Sequence, residues 1–117
     1  MTRRILCVDD NVNITTLFTH TLSAMGHTVN VANDGLEAIA RIKAAQFDVV
    51  IIDHQMSQIT GLELVRYLRE KAYSGKIFIF SGALSSEIII EYEALKVEAI
   101  ATKPTGFREI LALLQSP

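Results

Sequence analysis

Of the 117 residues, only one is cysteine and two are proline. A single thiol, Cys7, cannot close an internal disulfide, which excludes a cross-linked secreted scaffold. The expectation is a small core residue in a reduced, cytoplasmic setting. Two prolines among 50% apolar residues exclude a disordered chain. There is no run of Lys and Arg, and the formal charge is −2. The chain therefore has no electrostatic footprint for nucleic acid or for an anionic membrane surface. No apolar stretch approaches the roughly 20 residues of a membrane span. The opening, MTRRILCVDD, has basic residues but too short an apolar run for a signal peptide. Internal repeats, low-complexity segments and interdomain linkers are absent, and no Gly-rich or Ser/Thr-rich phosphate loop follows the first apolar run. What is left is one domain, residues 1–117, long enough to bury a proper core.

What is present is organised around FDVVIIDHQM, residues 47–56. Val49, Val50, Ile51 and Ile52 form a β-branched run with no polar residue, bounded by Asp48 and Asp53. Such a run suits a strand buried on both faces of a parallel sheet. It ends in a carboxylate where the strand should emerge into solvent, and in open α/β sheets chemistry gathers beyond the carboxyl ends of strands.

The rest of the chain alternates in kind. Ile5 to Val8 is a short apolar run, followed by Asp9, Asp10 and Asn11. Ile14, Leu17, Phe18, Leu22 and Met25 recur at helical spacing, and Gly26 stands where a terminator belongs. Thr28 to Ala32 alternates as an edge strand. Asp34 with Glu37, and Thr60 with Glu63, read as capping boxes opening two helices. Ile77 to Phe80 is a further strand, ending in Ser81 and Gly82. Ser85 or Ser86 caps a helix through about Lys96. Glu98 to Ala101 is a short second edge strand, ending near Thr102, Lys103 and Pro104, and Thr105 is expected to cap a last helix. Strands and helices in strict alternation predict an α/β fold, a doubly wound parallel sheet with helices on both faces.

With the flavodoxin-like order 2-1-3-4-5, the ends bearing Asp9, Asp10, Asp53, Ser81 and Lys103 lie on one edge of the sheet. Adjacent carboxylates repel by a few kcal/mol per pair at ~5 Å and an effective dielectric near 20. Such a cluster persists most easily around a cation, and oxygen-only ligands suit Mg²⁺ or Mn²⁺ rather than zinc. Lys103 can pair with a phosphoryl oxygen and Ser81 can donate to another. Carboxylate nucleophile, divalent metal, Lys and hydroxyl together make a site for phosphoryl transfer through an aspartyl phosphate.

The motifs CVDDN, IIDHQM followed by Gly61, FSGA and TKP, in that order and on those elements, resemble the receiver domain of two-component response regulators along essentially the whole chain. The resemblance implies that Asp53 is the phosphoacceptor, served by a histidine kinase or phosphotransfer protein. It implies that Asp10, Asp53 and the main-chain carbonyl of Gln55 bind Mg²⁺ directly and that Asp9 holds it through water. Lys103 and Ser81 would grip phosphoryl oxygens, Gly82 would leave space beside them, and a cis peptide would precede Pro104. The only chemistry implied is self-directed transfer and dephosphorylation. The chain would act as a switch rather than an enzyme, a free-standing regulator or an excised part of a longer protein, ending at Ser116-Pro117 with no output domain.

Three residues depart from the family pattern. Ser57 stands where a proline is usual, which loosens the loop by ~0.4–1 kcal/mol. Lys96 replaces a common glycine before the last strand. Ile100 replaces the Tyr or Phe whose ring rotates inward as the Ser or Thr moves. The response is therefore expected to run through Ser81, the loop after it and the helix to Lys96. That helix carries Ile88, Ile89, Ile90 and Tyr92, which fit either core packing or a partner face. A downstream protein partner would use this helix with the last strand and helix, and a homodimer is also compatible. His54 is expected to point away from Asp53 by strand alternation, and His20 and His27 to lie at the surface. Two other functions compete: a pseudo-receiver that is never phosphorylated, and a haloacid-dehalogenase-type phosphatase using Asp9. The second usually has Asp-x-Asp where this chain reads Asp-Asp-Asn.

Overall fold

The apolar runs become strands and the periodic segments helices in strict alternation. The computed structural model describes residues 2–115; the expected end at Ser116-Pro117, and with it the full 1–117 extent, lies outside them. Strands β1 (Arg4–Val8), β2 (Thr28–Ala32), β3 (Val49–Ile52), β4 (Lys76–Ser81) and β5 (Ala99–Thr102) alternate with helices α1 (Val12–Ala24), α2 (Gly35–Ala44), α3 (Gly61–Glu70), α4 (Ser86–Ala94) and α5 (Phe107–Gln115). The strands form one sheet in the order β2-β1-β3-β4-β5, every pair parallel. This is the doubly wound, flavodoxin-like arrangement expected from the sequence.

Period-two alternation divides the core in two. Leu6, Val8, Val50, Ile52, Ile77 and Ile79 face α2, α3 and α4, meeting Ala38, Val65, Leu68 and Tyr92. Ile5, Cys7, Val49, Ile51, Phe78 and Phe80 face α1 and α5, meeting Phe18, Leu22, Ile110 and Leu114. All four residues of β3 are buried, as a strand central to a covered sheet requires.

Local chemistry sets most boundaries. The Thr60–Glu63 capping box is complete. Asp34 accepts from the Glu37 amide at 2.7 Å, but Glu37 reaches back to the Asn33 amide at 3.3 Å, one residue earlier than a reciprocal box would have it. Ser85, not Ser86, caps α4. Thr105 does not cap α5. A turn carries the chain into that helix instead, with the Gly106 amide donating to the Thr102 carbonyl at 2.7 Å. His27 is buried rather than exposed, its Nδ1 accepting from the Arg3 amide at 3.0 Å.

Candidate functional site

Register decides which polar groups meet. Val8 pairs with Ile52 and Ile52 with Ile79, so the residues following β1 and β3 leave the sheet side by side. Backbone bonds hold them there: the Asp53 amide donates to the Val8 carbonyl at 3.0 Å and the Lys103 amide to the Ser81 carbonyl at 2.7 Å. The peptide between Lys103 and Pro104 is cis.

One carboxylate oxygen from each of Asp9, Asp10 and Asp53 lies within 4.8 Å of the others. Asp9 and Asp53 are buried and Asp10 is exposed, so the cluster opens to water on one side only. Lys103 lies across from them, Nζ 2.8 Å from Asp9 and 3.5 Å from Asp53. Asp9 also accepts from the Asn11 amide at 2.9 Å. Both its oxygens are thus engaged within the chain, whereas Asp10 is turned to solvent.

The electrostatics follow from burial. Desolvation pushes the Asp53 carboxyl above its ordinary range, and the neighbouring Asp9 charge adds to this. The Lys103 ammonium and the nearby Ser81 hydroxyl only partly offset it. For Lys103, burial works against the charge, but the bond to Asp9 and the charge of Asp53 outweigh it, and its pKa ends higher than usual. One ammonium therefore serves two buried carboxylates, and the set as a whole retains an excess of negative charge.

The three acids supply only hard oxygen donors, and Asp10 is open to water. That donor set fits Mg²⁺ or Mn²⁺. Asp10, Asp53, Gln55, Ser81, Gly82 and Lys103 border an open cavity of about 570 Å³, roomy enough for a hydrated cation beside a phosphoryl group. A cleft of about 580 Å³ at the other end of the sheet is bordered by Phe47, Asp48, Tyr73 and Lys76. It offers no comparable cluster, and Asp48 there is taken up by the Arg4 amide at 2.7 Å.

A Cβ added to Gly82 would meet open space, so the cavity is wide there. Gly61 has no such room: an added Cβ would lie 2.5 Å from the Asp53 carbonyl oxygen. Ser57 is exposed in the β3–α3 loop, where Gln58 takes a left-handed φ of 74°. Lys96 keeps the glycine-like geometry without the glycine, at φ 59°. Ile100 is half-buried against the α2–α4 side of the core. Tyr92, a candidate for a partner face, is wholly buried, and Ile90 is the large apolar residue that α4 exposes, at 63%.

One feature of the site was not readable from spacing. His54 Nδ1 lies 2.7 Å from the Tyr92 hydroxyl, joining the loop after β3 to α4. Tyr92 belongs to no motif, and 38 residues separate it from His54.

The receiver domain of response regulators matches this chain, as a family, over residues 5–115. Response regulator MprA of Mycobacterium ulcerans is 32% identical over 99% of this chain and 50% of its own length. The CAI-1 autoinducer sensor kinase/phosphatase CqsS of Vibrio cholerae is 38% identical over 93% of this chain and 16% of its own. The chain thus spans half or less of these curated relatives. Among solved structures, chemotaxis protein CheY4 of Vibrio cholerae superposes with a TM-score of 0.89 at 32% identity, covering 98% of both chains. TrrA of Thermotoga maritima, solved with Mg²⁺ and BeF, superposes with a TM-score of 0.83 at 28% identity over 96% of both.

Proposed function

Because the chain belongs to the response regulator receiver domains, we propose that Asp53 accepts a phosphoryl group from a histidine kinase or phosphotransfer protein in a reaction that needs a divalent cation. The observation that carries this reading is the set of three carboxylates within 4.8 Å of one another, with Lys103 across from them. Asp10, Asp53 and the Gln55 carbonyl would hold Mg²⁺, with Asp9 behind them through water. The cation supplies charge neutralisation between carboxylates and phosphoryl oxygens that would otherwise repel.

The chain's own groups do the rest. A carboxylate oxygen of Asp53 attacks phosphorus as the bond from phosphorus to the donor's imidazole nitrogen breaks, and the electron pair leaves with the imidazole. Lys103 meets one phosphoryl oxygen as an ammonium, and the Ser81 hydroxyl donates to another. Attack of water on the same phosphorus reverses the state by releasing phosphate and restoring the carboxylate. A small acyl phosphate can replace the protein donor, since the acceptor provides the whole site.

Partner protein would bind the face of α4, β5 and α5, where Ile90 is exposed, and a cytoplasmic setting follows from the donor class and the free Cys7 thiol. A phosphatase using Asp9 as nucleophile is disfavoured, because Lys103 and the Asn11 amide occupy that carboxylate. Intact mass after incubation with acetyl phosphate and Mg²⁺ tests the reading. One phosphoryl mass should appear on the wild type, none without metal and none on Asp53→Asn. Equal labelling of Asp53→Asn would sink it.

A further inference from the structure

Tyr92 is the one residue of α4 that is fully buried, and it is the largest fully buried side chain in the described chain. A buried phenol needs a partner for its hydroxyl, and the partner chosen here is the side chain immediately after Asp53. The Tyr92 hydroxyl lies 2.7 Å from His54 Nδ1, and the two rings meet edge to face at 5.6 Å.

His54 is placed where a small movement matters. It lies between Asp53 and Gln55, both of which border the cavity. The His54 carbonyl accepts from the Gly61 amide at 2.8 Å, which fixes the start of α3 to the same residue. A Cβ on Gly61 would come within 2.8 Å of the Tyr92 hydroxyl and 2.9 Å of the His54 Cα. The hydroxyl therefore packs close beside Gly61 and the His54 backbone. On β5, Ile100 offers only an alkyl side chain to this region.

We propose that His54 and Tyr92 are positioning residues that tie α4 to the acceptor loop, coupling occupancy of the Asp53 site to the placement of α4 through this one side-chain hydrogen bond. The proposal rests on Asp53 being the phosphoacceptor. Drawing Asp53 and the Gln55 carbonyl toward a cation or phosphoryl group moves the residue between them. His54 then carries Tyr92 along and keeps the bond, which is strongest in the occupied state, and Tyr92 is the residue that seats α4 in the core. Coupling between binding events is reciprocal, so loosening the tie must also weaken the loop's grip on the cation.

Tyr92→Phe removes the hydroxyl and keeps the ring, and His54→Phe breaks the bond from the other end. Tyr73→Phe is the control, since Tyr73 loses a hydroxyl bond of the same 2.7 Å length, to the Phe47 carbonyl at the far end of the sheet. Two readouts are followed: the dissociation constant for Mg²⁺, and the amide shifts over Ser86–Ala94 induced by beryllofluoride with Mg²⁺. In both Tyr92→Phe and His54→Phe the constant should rise about fivefold, the low end of site-to-site coupling, and the α4 shifts should fall below half of wild type. Tyr73→Phe should lower the melting temperature and leave both readouts unchanged. Wild-type Mg²⁺ affinity and α4 shifts in the two tie variants would overturn the proposal, as would equal effects in Tyr73→Phe. A wild type labelled on Asp53 alongside those results would confine the failure to this proposal, whereas an unlabelled wild type would overturn the phosphoacceptor reading and the proposal with it.

Discussion

Asp53 is held in a place that suits a carboxylate only when positive charge is near. Burial and the Asp9 charge raise its pKa, so the folded protein disfavours the ionised form that dominates at neutral pH. A carboxyl with a raised folded pKa costs stability above that pKa, and removing its charge recovers the loss. Without metal, Asp53→Asn should therefore melt higher than wild type, by about 4 °C or more for each kcal/mol relieved. Asp9→Asn should not, because it breaks the 2.8 Å pair with Lys103. Thermal melts in chelator check both, and a lower melting temperature for Asp53→Asn would contradict the crowding argument. A different residue gives the fold a pH limit. His27 has its pKa lowered from 6.5, by burial first and by the Arg3 charge second. Its neutral ring accepts from the Arg3 amide, so its contribution is full above about 6.5 and is lost as the pH falls through the lower folded value. Wild-type stability should decline with acidification in that window, and His27→Asn should show a flatter decline in denaturant titrations at each pH. The acids were legible in the sequence because strand ends and motifs announce them. His27 was not, because its burial depends on Arg3, which reaches it from 24 residues away.

Helix starts are local events and could be read from sequence: Thr60 and Glu63 needed only each other. Helix ends and helix placement are less local. Lys96, after α4, takes φ 59°, a conformation that costs a residue with a Cβ roughly 1–2 kcal/mol. It is held there by α3, whose Arg69 donates from Nη2 to the Lys96 carbonyl at 2.9 Å and from Nε to the Leu95 carbonyl at 2.8 Å. Lys96→Gly keeps those backbone acceptors and removes the strain, at the expense of a more flexible unfolded chain. A net gain of ~0.5–1 kcal/mol is expected in urea unfolding, and a loss would show that the lysine side chain contributes something the backbone does not. Arg69→Ala should be destabilising by more, since it strips three carbonyls at two helix ends. The route of the response belongs to this scale too. Ile100→Ala should lower stability through lost packing but leave the pattern of beryllofluoride-induced shifts from Ser81 to Ala94 in place. Shifts centred on residue 100 with a silent α4 would contradict that route.

At the scale of the molecule, the order β2-β1-β3-β4-β5 is what turns scattered polar residues into a site. It places β1, β3 and β4 side by side and β5 beyond them, so that Asp9, Asp53, Ser81 and Lys103 converge from segments spread over the chain. Topology was legible because alternation of buried strands and amphipathic helices leaves few ways to cover both faces. The His54–Tyr92 contact was not, because neither sheet order nor helical period specifies which buried hydroxyl meets which ring. A cation bound by the folded state alone stabilises by mass action, so millimolar Mg²⁺ should raise the wild-type melting temperature and leave Asp10→Asn nearly unmoved. The most direct test of the central claim locates the phosphoryl group itself. Protein treated with acetyl phosphate and Mg²⁺ is reduced with borohydride, which converts an aspartyl phosphate to homoserine, and is then digested and sequenced by mass spectrometry. Homoserine should appear at position 53 and at neither 9 nor 10; homoserine at position 9, or at no aspartate, would contradict Asp53 as the phosphoacceptor.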